Sequence, residues 1–169
     1  MRFVNRIGLF CLLGCHSPKK TSLQFMQELK MGQYDNASFF TSEGTINAHP
    51  RESNTAREAV ASLFSRMEYE IIDIVTQREE ATVHLQVENV KTAEILAVVA
   101  METMKKGAQE LYDQKTRKYD ESFLQGVQAK IDDPTAKFIT TDVHLHLKKY
   151  DSAWKITNQK MAIRQLLGL

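Results

Sequence analysis

Cysteine is nearly absent from this chain of 169 residues: the two present, Cys11 and Cys15, both lie in the first fifteen positions. No disulfide can staple the remainder, which must be held by its apolar core, and about 150 residues are enough to build one. Long hydrophobic runs are missing too. The run from Ile7 to Leu13 falls well short of the roughly 20 apolar residues a bilayer span needs. Charge of one sign is not in excess, with 22 basic against 21 acidic residues and a formal charge of +1. That balance excludes an electrostatic nucleic-acid binder, which carries a basic face. Proline and glycine are sparse, at 3 and 7, and no linker, repeat or low-complexity segment divides the chain. There is no glycine-rich phosphate loop, no Cys/His cluster and no serine in a strand-turn-helix elbow. Neither a cofactor nor a resident metal is expected.

What is present begins at the N-terminus. Arg2 and Arg6 form a positive n-region, Ile7 to Leu13 form an apolar core, and Leu12-Leu13-Gly14-Cys15 closes it. This arrangement resembles the signal of bacterial lipoproteins. Leu12 and Gly14 fit their cleavage box, whereas Leu13 departs from its usual small residue. The resemblance implies that residues 1–14 are a signal peptide and that the Cys15 thiol receives a diacylglyceryl group. Cleavage then makes Cys15 the new N-terminus, with palmitate-type chains as anchor. Loss of Arg2 and Arg6 takes the formal charge from +1 to −1. Residues 15–21 read as a lipidated polar tether and residues 22–169 as one folded domain. The expected location is the cell membrane or outer envelope membrane, on its extracytoplasmic side.

Periodicity orders the domain. A short helix is predicted over Ser22–Met31, with Phe25, Met26 and Leu29 on one side and Gly32 behind it. A second follows from Asp35 to Phe40, and residues 41–54 read as a loop. Thr55-Ala56-Arg57-Glu58 fits a capping box, followed by Val60, Leu63, Phe64 and Met67 at helical spacing. Residues 69–76 and 81–90 form a hairpin around a polar turn, with Val83, Leu85 and Val87 on its buried face. Residues 92–114 and 119–131 return to helix. Ala97, Met101, Met104, Ala108 and Leu111 form the expected packing stripe of the first, and Gly126 weakens the second. Residues 137–149 alternate again, Asp151-Ser152 turns the chain, Trp154 to Asn158 returns, and Met161 to Leu167 is a helical tail.

That order, with Phe25 to Ala37 as an opening helical pair and Val143 to Ile156 as a strand, tight turn and tryptophan strand, is similar to the nuclear-transport-factor-like, or cystatin-like, cone fold. The resemblance implies an α+β domain with N-terminal helices packed on a curved antiparallel sheet and an inserted helical pair. Residues 93–134 depart from the compact members and are placed to fill or lid the cone.

Three constellations carry chemistry. His84, His144 and His146 share polar strand faces and would supply a zinc or copper donor set if the strands adjoin, but alternation assigns them to a solvated face. Asp73 shares strand parity with Tyr69 and Ile71. In a cone it would serve as the base of an isomerase or dehydratase, although no oxyanion donor or second acid can be assigned beside it. Met101 and Met104 fit core packing. The expectation is a non-enzymatic domain that binds a small apolar ligand or an envelope protein, held to the membrane through lipid on Cys15. The alternatives are the Asp73 enzyme and a structural envelope dimer.

Overall fold

The computed structural model describes residues 17–44, 62–112 and 119–168. The signal segment, Cys15 and the Thr55–Glu58 capping box lie outside them.

The first helix, α1 (Pro18–Lys30), starts four residues before the expected position. Ser17 is extended, its Oγ accepts the Lys20 N–H at 3.2 Å, and Pro18 takes the first helical position, where its missing N–H is not needed. The segment assigned to the end of a tether is therefore the capped first turn of a helix, with Thr21 and Ser22 fully buried. At the other end Gly32, with φ of 69°, allows a paired closure. Gln33 N–H donates to Glu28 O at 2.8 Å and Gly32 N–H to Leu29 O at 3.0 Å. A short α2 (Tyr34–Ser38) follows, and residues 62–65 are helical and are labelled α3.

Four strands form a curved, unclosed antiparallel sheet in the order β1 (Glu68–Gln77), β2 (Glu80–Val90), β3 (Phe138–Tyr150), β4 (Ala153–Ile156). Both hairpin turns are tight, and each is made by a non-glycine residue in the left-handed region, Arg78 at φ 56° and Asp151 at φ 52°. The core face of the sheet carries Val83, Leu85, Val87, Val143, Leu145 and Leu147. Phe25, Met26 and Leu29 of α1, with Phe64 and Met67, pack against it and are all essentially inaccessible. Burying each such side chain stabilises the fold by about 1.5–3 kcal/mol.

α1 thus fills the hollow of the sheet, and the inserted helices do not. α4 (Thr92–Tyr112) and α5 (Tyr119–Asp132) join β2 to β3 and make a separate small cluster of Val90, Val99, Val127 and Ile131. Gly126 allows their close approach: a Cβ there would stand 2.9 Å from Val99 Cγ1. Arg66 fastens the base of this pair. Its guanidinium lies 4.8 Å from the Phe138 ring centroid and donates to Ile131 O and Asp133 O at the end of α5.

β4 pairs with residues 147–150 of β3, and on its other side Ile156 makes a parallel bridge to Thr41. Beyond it, Asn158 continues the edge: its Oδ1 accepts the His146 N–H at 2.9 Å and its Nδ2 donates to His144 O at 2.7 Å. From there α6 (Gln159–Leu166) packs on β3, with Ala162 and Leu166 entering the core. Asn89, 2% exposed, ties the end of α6 to α3 by donating to both Leu166 O and Leu63 O at 3.1 Å.

Candidate functional site

Side chains with chemistry gather on the outer face of the sheet. The register sets Asp73 opposite His84, and His84 opposite His144, so three strands contribute to one row. The His84 and His144 rings stack with centroids 4.6 Å apart and planes within 7°. His84 Nε2 lies 3.1 Å from Asp142 Oδ1, and His146 Nδ1 lies 3.2 Å from Thr82 Oγ1. Of the three histidines the metal reading required, His84 and His144 come into contact, while His146 lies against Thr82. Parallel stacking keeps the lone pairs of His84 and His144 in separate planes, so they do not converge on one ion. Among the described residues no group of three metal-ligating side chains forms.

Asp73 corrects the expected parity. β1 carries a bulge between Ile71 and Asp73, which leaves Ile72 as an extra residue, 50% exposed. One inserted residue exchanges the two faces of everything beyond it. Tyr69 and Ile71 pack inward before the bulge and Ile74 does so after it, so Asp73 lies outside, exposed and in line with His84. It is not placed as a base within the cone.

The α4 stripe is also corrected. Val98, Met101 and Met104 are exposed, at 37%, 56% and 73%. The packed face instead presents Ile95, Leu96 and Val99. The reason is local: Ile95 to Met101 is apolar without interruption, so helical period alone does not choose which side meets the protein. Ala108 and Leu111 lie outside the described side chains. An apolar stripe left on a domain's surface is a feature of interaction sites, and its Met101 and Met104 are residues that the helical spacing assigned to core packing.

Few strongly perturbed acids or bases accompany these surfaces. Burial raises the Tyr34 hydroxyl well above the ordinary tyrosine range. The Thr135 hydroxyl and backbone N–H, both donating to Asp133 Oδ1, hold that exposed carboxyl below its usual range. Neither group belongs to the histidine row or the methionine stripe. No described helix is long and apolar enough to cross a membrane.

The arrangement defines a class: an α+β domain whose curved antiparallel sheet is packed on N-terminal helices. No protein-family model matches the chain, and no curated protein does. Among solved structures it is similar to ycdA of Bacillus subtilis subsp. subtilis str. 168, a candidate lipoprotein, with 15% identity and a TM-score of 0.44. The alignment covers 89% of this chain and 46% of that one, so this chain spans about half the length of that neighbour.

Proposed function

We propose that this protein is a lipid-anchored, extracytoplasmic binding domain of the cell envelope. Residues 1–14 direct export and are removed, Cys15 carries the diacylglyceryl anchor, and the α+β domain engages an envelope protein or a small apolar ligand without catalysing a reaction. The observation that supports this reading is the closeness of Cys15 to the first described helix: Ser17, two residues on, is already the cap of α1. The hollow of the sheet is occupied by Phe25, Met26 and Leu29, so binding is assigned to the outer surfaces, and foremost to the Val98–Met101–Met104 side of α4.

Metabolic labelling with a clickable palmitate analogue tests the anchor. The native chain is expected to label and fractionate with membranes, and Cys15→Ala to do neither. Labelling that survives the substitution would overturn the assignment.

A further inference from the structure

We infer that the domain rests directly on the bilayer, with the first turn of α1 and its Lys19 and Lys20 against the headgroup layer, instead of floating on a tether. This deepens the reading above and rests on it.

The argument is one of length. Two residue steps separate Cys15 from Ser17, and a fully extended chain covers at most about 7 Å in two steps. Ser17 is not free to swing. Its carbonyl accepts the Thr21 N–H at 3.1 Å and its Oγ the Lys20 N–H at 3.2 Å. α1 is in turn fixed through fully buried Thr21, Ser22, Phe25, Met26 and Leu29. A domain of this size has a radius of gyration of about 15 Å. The leash is therefore shorter than the body it holds, and the body cannot turn another side to the membrane. Lys19 and Lys20, both exposed, flank the attachment point, and that first turn carries no acid to oppose phosphate headgroups. The occupant of this surface is the phospholipid layer in which the Cys15 lipid is buried.

The native cysteines suit a direct test. Cys11 leaves with the signal, the Cys15 sulfur is blocked by its lipid, and no other cysteine is present. A fluorophore is placed on Lys19→Cys in the full-length, processed protein, which is reconstituted in phosphatidylcholine vesicles containing a headgroup-nitroxide lipid. A matched form carries twelve Gly/Ser residues inserted between His16 and Ser17, which adds about 20 Å of reach. Mass spectrometry of both preparations reports the lipid. Strong quenching in the native-length protein, lost several-fold on insertion, is the expected result. Lipidated protein that is equally quenched, or equally unquenched, with and without the spacer overturns the inference while leaving the anchor intact. An unmodified Cys15 overturns the anchor and this inference together.

Discussion

Tyr34 is partly buried, edge-on to Phe64 with ring centroids 6.2 Å apart. Burial disfavours the phenolate, so the folded-state value lies above the unfolded one. Below about pH 10 both states keep the proton and its titration leaves stability unchanged. Above it the unfolded chain loses its proton first, and stability falls as pH rises. The expected outcome is alkaline unfolding whose midpoint moves to higher pH in Tyr34→Phe, read by circular dichroism across pH 9–12. Buried Asn89 works through hydrogen bonds: it satisfies the Leu63 and Leu166 carbonyls at once, and its own Oδ1 accepts the Val90 N–H at 2.8 Å. Alternation places Asn89 beside a strand end but gives no sign of these partners, which are 26 and 77 residues away in the chain.

Among elements, the α4–α5 pair makes a close contact at Gly126. Gly126 reads in the sequence as a weak point of a helix, since glycine costs about 1 kcal/mol against alanine there. In the fold it is the point of closest approach, with Val99 filling the space a Cβ would need. Gly126→Ala is therefore expected to destabilise by about 1–3 kcal/mol in spite of its better helix propensity, measured by urea denaturation. Adding Val99→Ala removes the clash, and the double variant should recover part of the loss. β1 shows the same dependence on context. Its residues read correctly as a strand, and its turn with β2 falls where the polar residues Gln77 to Glu80 place it. The bulge at Ile72 has no local signature, and it alone decides that Asp73 sits beside His84.

For the whole molecule, the two sides of α4 make opposite demands. Met101→Lys with Met104→Lys, on the exposed side, is expected to shift stability by no more than about 0.5 kcal/mol while reducing binding of an apolar dye. Val99→Ala, on the packed side and 1% exposed, should lower the thermal midpoint clearly. If the double lysine variant unfolds and Val99→Ala does not, the helix is turned the other way and the binding surface assigned here is wrong. The same double variant, compared with the native chain by sedimentation, separates a monomeric binder from an envelope dimer formed through this stripe.

The α+β class, both hairpins, the inserted helices and the solvated histidine face were legible in the sequence because each follows from local period and turn chemistry, which neighbouring residues set among themselves. The side of the sheet given to Asp73, the face of α4 that stays exposed and the helix that fills the hollow were decided by tertiary structure. Each depends on which distant surface arrives to bury a side chain, and an apolar run such as Ile95 to Met101 offers several sides to bury at nearly equal free energy.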